Sequence, residues 1–216
     1  MDADEVAASE HLVAREMRDA ERRDLLRRDV GIGTERRGLS VIVLSGNFPR
    51  LCACYPSSSS YNESVVTLRG YKEDDFCRLM EIDKACFVEG IAYPEDEMRY
   101  FLDRRSAVTL VAEDSGWIQG FVIADRFRSR RVSHSMGRII TIDVAPEVQE
   151  RGVGSLLLTS VEQELKRLQC DYVSLEVAVD NNKAMRFYKK HGYSVLKVLP
   201  RYYLDSIDGL LMGKKL

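Results

Sequence analysis

A strand-like apolar run that passes through a proline turn into a Gly-x-Gly step and a long helix restricts this chain more than any other stretch. Residues 138–144 are rich in Ile and Val and read as a strand. Ala145-Pro146 ends it. Gln149-Glu150-Arg151-Gly152-Val153-Gly154-Ser155 then leads into a helix over 152–169, with Val153, Leu156, Leu157, Val161, Leu165 and Leu168 along one side. Gly152 and Gly154 remove side chains where backbone would approach a ligand. The first-turn amides of a helix lack intrahelical acceptors, and the helix dipole adds positive charge there, so the step is an anion site suited to a pyrophosphate. Two familiar phosphate motifs are excluded. Leu157 stands where a dinucleotide-binding fold needs its third glycine, and no Gly-Lys-Ser/Thr follows as in a P-loop. On pattern alone, a plain glycine turn remains the alternative.

The flanking sequence supplies the rest of one α/β domain over 64–216. Residues 65–68 read as a short strand, and 72–87 as a helix with Phe76, Leu79, Met80 and Ile82 near helical spacing. Tyr93-Pro94 opens a second helix to about residue 103. Strands 108–112 and 118–124 flank a 113–116 turn, a hairpin signal. Strand 172–179 alternates Val173, Leu175, Val177 and Val179. Helix 181–191 carries Lys189 and Lys190 in its last turn and stops at Gly192. Strands 193–198 and 210–214 complete the order β-α-α-β-β-β-α-β-α-β-β, a mixed sheet flanked by helices.

Residues 1–63 differ. Every basic residue there is an arginine, and the first lysine is Lys72. Residues 10–28 alternate charge with few apolar positions, which makes a solvated helix at most. Glycines and the serine run 57–60 read as linker, with 41–44 a weak strand candidate. A poorly ordered extension is expected, with a partner-binding arm as the alternative. The acidic Met1 end resembles neither a signal peptide nor a transit peptide, so the cytoplasm is the expected compartment. With 32 Lys+Arg against 34 Asp+Glu, net −2, there is no whole-chain case for direct nucleic-acid binding. No apolar run approaches the ~18 residues of a membrane span. The five cysteines lack CxxC spacing and the three histidines are scattered, so neither a disulfide framework nor a metal site is expected.

Several residues admit two readings. Glu176 lies mid-strand, opposite the Val173–Leu175–Val177 face, as an ordinary solvated carboxylate would. Tyr188 has the place of a core aromatic, and Asn181 that of a helix N-cap. Tyr202 and Tyr203 follow Pro200-Arg201 ahead of the last strand, so one can pack inward while the other borders a pocket. Arg126, Arg128, Arg130 and Arg131 read as a solvated connection, with attraction of an anionic partner as the alternative.

The Gln149–Gly154 stretch resembles the Q/R-x-x-G-x-G/A motif of the GNAT acetyltransferases. Leu175-Glu176-Val177, Asn181, Ala184, Tyr188, Gly192-Tyr193, Arg201-Tyr202-Tyr203, Asp208 and Met212 follow the order and spacing of ribosomal-protein-alanine (RimI-type) N-acetyltransferases. The segment 87–94 is longer than its counterpart there. The resemblance implies the GNAT fold, with a mostly antiparallel central sheet, and acetyl-CoA as co-substrate without a metal. It implies pantetheine paired along the backbone of Ile142, Asp143 and Val144. Phosphates would lie on Glu150, Arg151, Gly152, Val153, Gly154 and Ser155, with Asn181 also touching the cofactor. Glu176 becomes the general base, Tyr188 the acid that protonates the departing sulfur, and Tyr202 and Tyr203 the lining of a peptide site. The expected acceptor is a protein N-terminal α-amine, a ribosomal protein among the candidates. The alternatives are a small-molecule amine or lysine side chain, or a module that binds acyl-CoA without turnover.

Overall fold

The computed structural model describes residues 66–87, 91–128 and 135–216. Its strands are β1 (Thr67–Gly70), β2 (Ala107–Asp114), β3 (Trp117–Arg128), β4 (Ser135–Val144), β5 (Cys170–Ala178), β6 (Ser194–Tyr203) and β7 (Ile207–Lys215). Its helices are α1 (Phe76–Cys86), α2 (Glu95–Leu102), α3 (Val153–Arg167) and α4 (Asn182–Lys190). One sheet takes the order β1-β2-β3-β4-β5-β7-β6. Among the described residues β4 and β5 form its parallel pair, and the other neighbours run antiparallel. This is the mixed, mostly antiparallel architecture expected from the sequence. The 1–63 extension, part of the 87–94 segment, Arg130, Arg131 and His134 lie outside the described residues.

Local chemistry explains the elements. Ser115 (φ 51°) and Gly116 (φ 83°) make the left-handed two-residue turn that suits the twist of the β2–β3 hairpin. The crossover from β4 to β5 needs a helix, because parallel strands cannot be joined by a tight turn. Helix α3 supplies it and buries Val153, Leu157, Leu158, Val161 and Leu165 in the main core. Leu156, counted on the apolar side from the sequence, is exposed. Glu162 on α3 accepts from Tyr193 Oη (2.8 Å) and Lys214 Nζ (2.7 Å), pinning the end of α4 and strand β7 to the crossover helix. Among the described residues no helix is long and apolar enough to cross a membrane.

Two expectations are corrected. The basic run does not begin a connection at Arg126: β3 continues to Arg128, paired with Ser135 of β4. The strand expected over 193–198 runs further, as β6 to Tyr203, so Tyr202 and Tyr203 precede the last strand as expected but lie within β6, which tolerates Pro200 because it is the edge of the sheet.

The feature that positions the site is an opening inside the sheet. The β4–β5 ladder has four pairs, the last Arg138↔Ser174, although β4 runs on to Val144 and β5 to Ala178. On the other side of β4, Ile123 pairs with Thr141 and Ala124 with Ile139. Ile140 is therefore an extra residue, and a bulge of this kind bends and twists its strand. The carbonyl of Ile140 accepts from Tyr93 Oη at 3.4 Å. Beyond the bulge β4 keeps its pairing with β3 and loses it with β5.

Candidate active site

The wall of the opening is main chain. Ala145 N–H donates to Gln119 O on the β3 side (2.8 Å). The alternation of an antiparallel ladder then directs the polar groups of Val144 and Ile142 away from β3, toward the opening. The Val144 carbonyl agrees, since it accepts from Gln149 Nε2 (3.1 Å) and Cys86 Sγ (3.3 Å) rather than from β3. Strand β3 lies against this wall through Gly120. A Cβ there would stand 2.5 Å from Asp143 O and 3.1 Å from Val144 Cα, so a larger residue would displace the strand.

At the end of the opening the chain turns into α3. Glu150 (φ 66°) and Gly152 (φ 91°) are both left-handed, which turns successive amides to one side as in an anion-binding nest. Gly152 is the N-cap and offers no side-chain cap. The amides of Val153, Gly154 and Ser155 precede the first helical bond, Leu156 N–H to Gly152 O (3.0 Å). A Cβ on Gly152 would meet nothing within 4 Å, so the space beside its α-carbon is open. The two glycines differ in role. Gly152 meets a backbone requirement, whereas a Cβ on Gly154 would only reach ordinary contact with Val144 Cγ2 (3.6 Å) and Phe187 (3.7 Å). The side chains of Glu150 and Arg151 are exposed. Lys183 of α4 lies 2.8 Å from Glu150, holding that carboxylate below its usual range, and 3.3 Å from Gln149 Oε1.

Glu176 forms the opposite wall. The solvated-face reading is overturned: its residue exposure is 1%. Arg138, at the last paired position of β4, reaches it with Nη2–Oε1 at 3.0 Å and Nε–Oε2 at 3.2 Å, a fork-on-fork contact spanning the start of the opening. Tyr188 is fully buried, with its hydroxyl lacking a hydrogen-bond partner. Burial, with the charge of Asp143 nearby, pushes this phenol well above its usual range, so it keeps its proton. Asn181 caps α4 by accepting from Ala184 N–H (3.0 Å), and its buried Nδ2 has no acceptor. The tyrosine pair divides. Tyr203 is buried and acts electrostatically on Tyr188, while Tyr202 packs with Met136, Leu199 and Leu211 in a separate small cluster.

Sequence reasoning missed three contributors: Arg138, Gly120 and Asp83. A charged residue inside the apolar 138–144 run was the available signal for Arg138. Asp83 of α1 accepts from Tyr93 N–H (2.8 Å) and leaves Oδ1 unpartnered. Asp143 accepts from Thr141 Oγ1 (2.7 Å) and leaves Oδ2 unpartnered. Burial raises Asp83 to about 7, against the smaller lowering effect of the Tyr93 amide. Burial, then the charge of Asp83, holds Asp143 well above the usual carboxylate range. Both folded-state values lie above those of the unfolded chain, so the native state binds more protons. The Asp83 contribution is complete below about pH 4 and is lost as pH rises through about 7. Asp83→Asn keeps an acceptor for Tyr93 N–H and removes the ionisation. Denaturant unfolding should show the parent losing stability between pH 5 and 8, and the variant losing less by about 1–4 kcal/mol. Equal slopes would show that Asp83 does not titrate in the fold.

Residues 76–193 match the model of the Acetyltransferase (GNAT) family. The chain is 32% identical over 151 residues to an uncharacterized N-acetyltransferase of Methanocaldococcus jannaschii, covering 69% of this chain and 92% of the relative. It is 29% identical over 150 residues to an N-alpha-acetyltransferase of Sulfurisphaera tokodaii, covering 64% and 90%. In fold it is similar to the ribosomal-protein-S18-alanine N-acetyltransferase of Escherichia coli, with TM-score 0.61 and 19% identity over 70% of this chain and 94% of that one. The chain belongs to the GNAT acetyltransferase family, a class of enzymes that acylate amines.

Proposed function

We propose that this enzyme moves the acetyl group of acetyl-CoA directly onto an α-amine at a protein N-terminus, in the cytoplasm, with residues 64–216 as its catalytic unit. The observation that carries the reading is the unpaired length of β4 running into the bare amides at the head of α3. It matches a pantetheine arm continued by a diphosphate. The main chain of Ile142, Asp143 and Val144 pairs with the arm as an added strand would. Glu150 to Ser155 take the phosphates through main-chain amides. Asn181 supplies its buried Nδ2 to the cofactor.

The amine nitrogen attacks the thioester carbon as a C–N bond forms, and Glu176 accepts the amine proton through water. The Val144 N–H holds the carbonyl oxygen as it gains charge, a type of contact whose loss costs about 2.7–4 kcal/mol in other enzymes. The C–S bond then breaks, and the thiolate takes the Tyr188 proton. Tyr203 borders the reacting centre beside Tyr188, and Tyr202 carries the lining outward. The α-amine assignment draws support from the relative named N-alpha-acetyltransferase. The ribosomal acceptor rests on the Escherichia coli fold neighbour.

The test is turnover by purified enzyme with acetyl-CoA against N-terminal peptides, including ribosomal-protein N-termini, lysine peptides with blocked α-amines, and polyamines. Acetylation of free N-termini at least ten-fold faster than the others is expected. Preference for lysine or polyamine would overturn the α-amine reading, and binding of acetyl-CoA without any transfer would overturn the enzyme mechanism.

A further inference from the structure

We propose that Arg138 is a positioning residue of the reaction, one that aims the Glu176 carboxylate across the opening and keeps it ionised for the incoming amine. The inference rests on the base reading of Glu176. Glu176 lies two residues beyond Ser174, the partner of Arg138, so the contact is a diagonal cross-strand pair. It sits at Arg138, where the β4–β5 ladder stops, and uses two guanidinium nitrogens on two carboxylate oxygens. The side chains are 12% and 1% exposed, so little water shares the charge. A buried pair of this sort contributes little net stability compared with apolar packing of the same volume, and is better explained by what it orients. The guanidinium also places a permanent positive charge beside the acceptor position, which disfavours an ammonium there and favours the neutral nucleophile.

Tyr93, ahead of α2, feels Arg138 together with Glu97 of α2, Asp83 of α1 and Asp143 of β4. Glu176 is the group that Arg138 grips.

The experiment follows kcat/KM against pH for the parent, Arg138→Gln and Arg138→Lys, with acetyl-CoA affinity and thermal unfolding measured alongside. In Arg138→Gln, kcat at pH 7 should fall at least ten-fold with acetyl-CoA affinity within two-fold. The acid limb should move up by at least one pH unit, so that the deficit shrinks as pH rises. Arg138→Lys keeps the charge but not the fork, and should lose several-fold in kcat with the limb within about 0.3 unit of the parent, since a nearby cation still favours the ionised carboxylate. A purely structural role predicts a loss equal at every pH, and that result overturns the proposal. If Arg138→Gln yields no folded protein, Arg138→Lys decides alone, and unchanged kcat counts against us. The base reading fails separately. Normal turnover in Glu176→Gln removes it and this inference with it, whereas a slow Glu176→Gln beside a parent-like Arg138→Gln removes the inference only.

Discussion

Glu176→Gln should lower kcat by about 10²–10⁴-fold while leaving acetyl-CoA affinity within two-fold of the parent. Glutamine keeps the size and one acceptor oxygen but loses the capacity to take a proton. Because the carboxylate is buried against Arg138, the change also breaks an ion pair, and losing one member of a buried pair costs about 3–5 kcal/mol. Kinetics therefore belong at a temperature where circular dichroism shows the variant folded. Tyr188→Phe is the cleaner companion. Its hydroxyl makes no hydrogen bond in the fold, so removing it should leave stability equal or slightly higher, and kcat lower by about 10²-fold. Turnover at parental rates in both variants would end the acid–base assignment.

Gly152→Trp should raise the dissociation constant for CoA by at least about 100-fold, measured by calorimetry. Two phosphate–amide hydrogen bonds at about 1.5 kcal/mol each already amount to that factor. The open space beside the Gly152 α-carbon admits an indole, which would occupy the approach to the amides of Val153 to Ser155. The left-handed φ of 91° adds strain for any side chain, about 1–2 kcal/mol. Gly152→Ala serves as the control: it carries the strain without the bulk, so its CoA affinity should fall much less. Equal affinity in folded Gly152→Trp and parent would place the phosphates elsewhere.

The turn from β4 into α3 was legible because glycine, proline and helical spacing are local signals, and the expected helix differs from the observed one by a residue or two. Asn181 as a cap was legible for the same reason. What the sequence hid was long-range. Alternation assigns Glu176 to the face opposite the apolar one, and an isolated strand would wet that face. Its burial, at 1% exposure, is a tertiary property that the alternation of the strand does not carry. Arg138 and Glu176 stand far apart in the chain and become partners through the short parallel ladder. The bulge at Ile140 has no composition signal, because an extra isoleucine in an isoleucine run looks like more strand. Likewise the arginines at 126 and 128 read as loop by charge, although pairing with β4 makes them strand ends.

That extra isoleucine gives the strand a change of phase. Before it one set of positions faces each layer, and after it the sets exchange, so Arg138, Thr141 and Asp143 do not follow one alternating count. Excising that one residue would leave Thr141 opposite Ile123 and Asp143 opposite Phe121, each on its present face, and would give β4 a single unbroken alternation. The chain in its present form is thus held short of a more regular strand by one amino acid.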